Sequence, residues 1–376
     1  MKETILIQHA TVICEGHPLN GKVADIYIEA GKIRAVGEDL TYTGPRYDAT
    51  GKYVSPGFID AHVHCYHGKT AIGISPDDIG VRYGVTTLID AGTSGADTLQ
   101  DFKENIIDNA VTRVLVLLNV ATSGLLTLNE LADPEAINAM RIREALEQYG
   151  PLIVGLKARA SSSVLGTMGI TPIQRAAELA QLNDLPLVVH IGNAPPDIET
   201  VVDSIPEKGI ITHMYHNKPN GLFTESGSPK LQTSDARQRQ VKFDVGHGSS
   251  SFSFEIAEKA IRAGFEPDMI SSDLYDKNRQ HPVRSLVRVM NKLLASGMSV
   301  DDCIACVTTN VKANLNLKDR GDLSLGALGD LTIFELEKGT FEWEDSVGDK
   351  RMGTIKIKPV LTVLGGTEYQ IDNGGL

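Results

Sequence analysis

From about residue 53 to residue 315, short β-rich runs alternate with amphipathic or helix-favouring stretches, the rhythm of parallel βα units. Eight such runs can be counted, at 57–64, 85–92, 113–121, 152–160, 186–192, 209–215, 241–247 and 267–274. Several, such as VLVLLNV and PLVVHI, are nearly unbroken apolar segments, as strands buried on both faces should be. Helices are predicted over 99–109, 133–149, 171–182, 254–264 and 283–296, several opening on Asp, Thr or Ser and closing on Gly or Asn. Eight units over about 265 residues match an α/β fold of the (β/α)8 TIM-barrel type, whose functional side chains gather at the C-terminal ends of the strands. An open doubly wound sheet is the rival.

Two regions depart from this rhythm. Residues 216–240 (HNKPNGLFTESGSPKLQTSDARQRQ) are polar, rich in Gly, Pro and Ser, and longer than an ordinary βα connection, which makes them a candidate lid. The chain ends are strand-like with turn residues between (TILIQHATVI, KVADIYIEAGKIRAVG, DLTIFEL, GTIKIKPVLTVLGG). Neither end alone makes a core, so one small composite β-sandwich is expected from residues 1–54 and 321–376, flanking a barrel at 55–320.

Composition narrows the classes of function. The 376 residues are 41% hydrophobic and 22% charged, enough to bury a sizeable core. Lys and Arg number 36 against 48 Asp and Glu, and the net charge of −12 opposes binding to nucleic acid or an anionic membrane surface. Cys14, Cys65, Cys303 and Cys306 are too few for a disulfide scaffold and fit a reducing compartment. The first residues read as a strand rather than a leader, and no apolar run is long enough to span a bilayer. A compact cytoplasmic protein, assembled as a homo-oligomer, is the expectation.

The sharpest chemical feature is Asp60-Ala61-His62-Val63-His64 at the end of the first run. Strand alternation points Asp60, His62 and His64 the same way, and two inward imidazoles can chelate one metal ion. Further polar residues interrupt later apolar runs: Lys157 in IVGLKARAS, His190 in LVVHIG, His213 in IITHMY and Asp273 in MISSDLY. A buried unpaired lysine is costly while charged. A neutral amine beside metal ions can instead take up carbon dioxide and become a carbamate, a carboxylate on a long stem. Imidazole and carboxylate ligands with an open position favour zinc.

At these residues the chain resembles the amidohydrolase superfamily of barrel metalloenzymes, in which PGFIDAHVH, a mid-chain lysine, two separate histidines and a late aspartate occur in this order. The resemblance implies two divalent metal ions, with His62, His64 and Asp273 on the first, His190 and His213 on the second, and carboxylated Lys157 bridging them. It also implies that Asp273 is catalytic, taking a proton from water and returning it to the leaving atom. Substrate contacts are expected from Arg159, two positions after Lys157, and from His67, His216 and His247. For Arg159 an ion pair with Asp60 or Asp90 is the alternative. Cys303 and Cys306, at helical spacing in an apolar run, read as core.

Departures from relatives within the superfamily narrow the reaction. Dihydroorotases place an arginine close behind the first His-x-His, where Cys65-Tyr66-His67-Gly68 stands here, and adenine deaminases usually carry glutamate at the position of Lys157. The segments GLKARAS, THMYHNKPNG, FDVGHGSSSF and SSDLY are most similar to dihydroorotase-like deacetylases. The expected function is removal of a small acyl group from an N-acyl or O-acyl carboxylate. Adenine deaminase and cyclic-amide hydrolase are the enzymatic alternatives, and a scaffold that has lost its metals is the alternative of another class.

Overall fold

The structure is a computed structural model that describes residues 3–372; the outermost residues of the two terminal segments, 1–2 and 373–376, lie outside the described residues. The chain begins with β1 (Ile5–Val12), β2 (Val23–Glu29), β3 (Lys32–Gly37), β4 (Arg46–Asp48) and β5 (Tyr53–Pro56). Seven of the eight apolar runs then form β6 (Phe58–Val63), β7 (Val85–Gly95), β8 (Arg113–Asn119), β9 (Ile153–Ala160), β10 (Leu187–Ile191), β11 (Ile210–Thr212) and β12 (Lys242–Asp244). These pair in sequence order as one parallel sheet. Every residue of β6 and of β7 is buried, the burial expected of strands covered on both faces.

The eighth run, 267–274, is no regular strand. It makes one parallel bridge to each edge of the sheet, Val63 to Leu274 and Asp244 to Met269. His64 N donates to Leu274 O at 2.9 Å and Val245 N to Met269 O at 3.1 Å. Two features of its sequence break the ladder. Asp273 adopts a left-handed backbone (φ 52°), and the hydroxyls of Ser271 and Ser272 are turned to the buried carboxylates of Asp244 and Asp60.

Between the strands lie α1 (Leu99–Asn105), α2 (Ala139–Tyr149), α3 (Ser162–Leu165), α4 (Thr171–Leu182), α5 (Ile198–Asp203), α6 (Leu231–Gln238) and α7 (Phe254–Arg262), followed by α8 (Leu286–Ala295), α9 (Val300–Ala305) and α10 (Thr309–Asn314). Their starts have local causes. The Asn138 side chain accepts from the backbone N–H groups of Met140 and Arg141, Ser285 from that of Arg288, and Asp197 from that of Thr200, while Pro172 opens α4. The expected lid is partly helical, since α6 occupies its second half with Thr233 and Ala236 buried. Cys303 and Cys306 are buried and unpaired.

After α10 the chain returns through β13 (Leu331–Glu344), β14 (Lys350–Leu364) and β15 (Thr367–Gln370). Among the described residues the terminal strands form one eight-stranded mixed sheet, in the order β15-β14-β13-β5-β1-β2-β3 with β4 also on β1, rather than two stacked sheets. The cause is β1, which changes partner along its length: Leu6–Gln8 pair with β4, and Thr11 and Val12 pair with β5. The two chain ends meet where β5 pairs antiparallel with β13, and residues from both ends share one apolar core, including Ile7, Ile26, Val54, Ile333 and Leu361. Only Gly57 separates β5 from β6, so this sheet leads directly into the strand that carries His62.

Candidate metal centre

At the C-terminal ends of the parallel strands, His62 and His213 together with Asp273 offer donor atoms that all lie within 4.8 Å of one another. His64 Nε2 is 3.2 Å and His62 Nε2 3.5 Å from Asp273 Oδ1. Lys157 Nζ is 3.2 Å from His62 Nε2. His190, next to last in β10, sets its ring centroid 4.4 Å from that of His213. The six residues expected as ligands are thus gathered at one end of the sheet.

The far sides of the imidazoles are tied back into the fold. His62 Nδ1 lies 3.1 Å from Thr212 Oγ1, whose hydroxyl donates to Asp244 Oδ2 at 2.6 Å; the threonine therefore accepts the ring proton. His64 Nδ1 lies 2.8 Å from Thr93 Oγ1, and His213 Nδ1 donates to Gly246 O at 2.6 Å. Each ring is so oriented that Nε2 is its inward atom, and for His62 and His213 Nε2 is the unprotonated one. Outer hydrogen bonds orient metal-binding histidines in this way, and on this chemistry the donor set fits a divalent cation.

The electrostatics agree with that fit. Burial first, then the neighbouring cationic groups, hold His62 and His190 well below the ordinary histidine range, and burial brings His213 down to about 4. Neutral imidazole is the form that binds metal. Lys157 is 1% exposed, and burial lowers its pKa to about 8. Its stem passes so close to β7 that a Cβ on Gly92 (φ 78°) would stand 2.7 Å from Lys157 Cγ. His213 (φ 73°) and Asp273 (φ 52°) both hold left-handed backbone, a conformation that costs a non-glycine residue of order 1–3 kcal/mol and that clusters at functional sites.

Below this layer lie three buried carboxylates. Asp60 accepts from the hydroxyl and backbone N–H of Ser272 at 2.5 and 3.0 Å, and burial raises it to about 7. It braces the eighth run rather than facing the ligands. Asp90 accepts from the backbone of Cys65 and Thr93, each at 2.8 Å. Asp244, raised by burial to about 6, gathers the hydroxyls of Thr212 and Ser271. The supporting roles of Thr93, Thr212 and Asp244 are not visible in the sequence; the one signal for Asp244 is a charged residue ending the apolar run VKFD.

The residues expected to touch substrate fall into two groups. Arg159 is already engaged: Nε and Nη2 donate to the two oxygens of Glu130 at 2.7 and 2.6 Å, and Nη2 also donates to Leu128 O at 2.7 Å. Its ion pair is with Glu130, not with Asp60 or Asp90. His247 is fully buried, with Nε2 2.8 Å from Lys292 Nζ, Nδ1 2.9 Å from Gly248 O, and its ring stacked on Phe252. Neither nitrogen is left for a substrate. His67 is exposed on the loop after β6, with Nδ1 3.4 Å from Gly73 O. His216 is 3% exposed and stands on the turn after His213.

Neutral imidazoles, a desolvated lysine and a strained aspartate converging at one end of a parallel sheet define the class as a candidate metal-dependent enzyme site. Comparison with known proteins narrows it. Residues 323–370 match the family described as a deacetylase-like composite domain. A deacetylase of Enterococcus faecalis is 36% identical over 364 residues, covering 95% of this chain and 98% of its own. A solved structure described as an adenine deaminase superimposes with a TM-score of 0.92 at 35% identity, covering 97% of this chain and 99% of its own. Another, described as a dihydroorotase, gives 0.90 at 32% identity with 98% of each chain covered. The chain belongs to the deacetylase family of the amidohydrolase superfamily.

Proposed function

We propose that the protein is a binuclear metal-dependent deacetylase that removes a small acyl group from an amide or ester of a carboxylate-bearing small molecule. The observation that carries this reading is Lys157: a desolvated amine 3.2 Å from the inward nitrogen of His62, among imidazoles whose outer nitrogens are tied back. A deacetylase relative 36% identical over 95% of the chain supports the acyl-group chemistry. In this reading the eighth run closes the seven-stranded sheet into a (β/α)8 barrel at 55–320, supported by its bridge to each edge. The composite domain beside it is assigned to the sequence ranges 1–54 and 321–376, of which 3–54 and 321–372 are described.

His62, His64 and Asp273 would hold one ion and His190 and His213 the other, with carboxylated Lys157 serving both. Zinc is favoured by the imidazole and carboxylate donors. The carbamate forms when the neutral Lys157 amine adds to carbon dioxide: one N–C bond is made and one proton released. When bound, the ions polarise the substrate carbonyl and lower the pKa of water. Asp273 lies beside the Nε2 atoms of His62 and His64 and is 14% exposed at its side chain, so its carboxylate meets both the ligands and solvent. In this reading it accepts the proton of the attacking water and passes it to the leaving nitrogen or oxygen. His216 and the exposed His67 are the substrate-side histidines, and Arg159 and His247 act through the residues they hold.

Adenine deamination is a second reading, favoured by the 35% identity to a structure described as an adenine deaminase. Zinc-loaded protein assayed for acetate from N-acetyl amino acids and acetyl hydroxy acids, and for ammonia from adenine, separates the two. Acetate release is the expected result, and ammonia from adenine alone would replace the deacetylase reading. Lys157→Ala is expected to lose metal and turnover together, with partial rescue by a short carboxylic acid added with zinc.

A further inference from the structure

We propose that Lys218, in the turn after β11, binds the anionic group of the substrate, with the Nε2–H of His216 as a neutral donor beside it. The inference rests on the hydrolase reading above and names the residue that selects for a carboxylate.

The turn is held on both sides of Lys218. On one side, the backbone N–H of Lys218 donates to His216 Nδ1 at 3.1 Å, and the backbone N–H of His216 lies 3.3 Å from His213 O. On the other, Asn220 Nδ2 donates to Gly192 O at 3.0 Å and Pro196 O at 3.1 Å, while its Oδ1 accepts from Ile198 N at 2.8 Å. Lys218 is thereby fixed between the end of β11, next to His213, and the loop that follows His190. Its charge acts on His190, His213 and His216, and Asp273 acts on it in turn.

Two polar groups on this turn, the Lys218 ammonium and His216 Nε2, lack a partner among the described residues. Lys218 is half-buried, and its ammonium makes no ion pair or side-chain hydrogen bond among the described residues. Because His216 Nδ1 accepts a backbone N–H, the ring carries its proton on Nε2. That Nε2 is buried and has no hydrogen-bond partner among the described residues. A buried N–H donor is rarely left unsatisfied in a folded protein. An acceptor arriving with the substrate satisfies it, and the Lys218 charge, which acts on this ring, favours an anionic group there. Arg159 cannot take this part, because its guanidinium is occupied by Glu130 and Leu128 O.

The test compares acetate release from N-acetylglycine and N-acetylglycinamide, which differ in the carboxylate. Lys218→Met is expected to lower the acid-to-amide ratio of kcat/KM about tenfold or more, the scale of one charge-assisted hydrogen bond, and Lys218→Arg to restore much of it. His216→Phe is expected to weaken both substrates. An unchanged ratio in Lys218→Met overturns the proposal. A reading independent of turnover is the rise in melting temperature with benzoate over that with benzamide, expected in the wild type and lost in Lys218→Met; equal rises in the two proteins overturn the proposal. If the wild type releases acetate from neither compound, the hydrolase reading fails for this class, and the benzoate comparison still decides the role of Lys218.

Discussion

Arg159 and Glu130 form a two-pronged ion pair in which the carboxylate side chain is completely buried. Truncating the arginine strands that charge, and breaking a buried pair in this way typically costs about 3–5 kcal/mol. Arg159→Met is therefore expected to lower the melting temperature and to impair acidic and neutral substrates alike; a KM increase confined to acidic substrates would return Arg159 to the role of a clamp. Lys292 makes a second prediction. It donates to His247 Nε2 at 2.8 Å and Pro282 O at 2.9 Å, and burial, aided by the Arg288 and Arg284 charges and opposed by Asp345 and Glu344, lowers its pKa to about 7. The unfolded chain keeps this lysine protonated to about pH 10.4, so from about pH 7 to 10 the unfolded state binds more protons and stability rises with pH. Below that window both states are charged and the burial penalty is complete. Lys292→Met should remove this contribution, flattening the urea-denaturation profile between pH 7 and 10; a slope equal to that of the wild type would refute the assignment. Strand alternation made the inward face of Lys157 and His62 legible in the sequence. The same rule put Arg159 on that face but could not reveal Glu130, a partner 29 positions away on an irregular loop.

Legibility of the elements follows how local their causes are. The run 171–182 opens on Thr-Pro and is helical over that same span, because its signals lie within the segment. The expected helix 133–149 divides into a short turn at Pro134–Ala136 and α2, since Asn138 caps a new start inside it. The eighth run has strand composition but loses its ladder to Asp273 and two serines, whose geometry answers to Asp60 and Asp244 on other strands. Pattern alone cannot register such long-range demands. The approach of β7 to β9 is another, and it carries a prediction. Gly92 has no side chain, a left-handed φ of 78°, and Lys157 Cγ only 2.7 Å from where its Cβ would stand. Gly92→Ala must either strain its own backbone or push the lysine stem out of line. Metal content and turnover are expected to fall as in Lys157→Ala while far-UV circular dichroism remains near wild type. Full metal occupancy in Gly92→Ala would mean that this contact is loose.

At the scale of the whole molecule, the terminal sheet and the parallel sheet are linked through the strands that build the centre. β5 runs into β6 across one residue, Thr332 Oγ1 accepts from Phe58 N at 3.1 Å and donates to Gly84 O at 2.8 Å, and the Arg113 guanidinium holds Asp330 at 2.9 Å. The order of the candidate ligands along the chain was readable in advance; that both chain ends would join one mixed sheet around β1 was not, because the ladder that joins them pairs residues as far apart as Tyr53 and Phe334. This coupling makes the candidate centre a matter of stability as well as chemistry. Without an ion, the fold must keep neutral imidazoles, a desolvated lysine and several buried carboxylates together, each more comfortable in water. A ligand bound only by the folded state contributes about 4 kcal/mol when its free concentration is a thousandfold above Kd. Chelation is therefore expected to lower the melting temperature by several degrees and zinc to restore it, with a smaller difference in Lys157→Ala. Calorimetry alongside measured metal content checks this. A fully stripped protein that melts with the loaded one would show that these residues converge for some purpose other than holding metal.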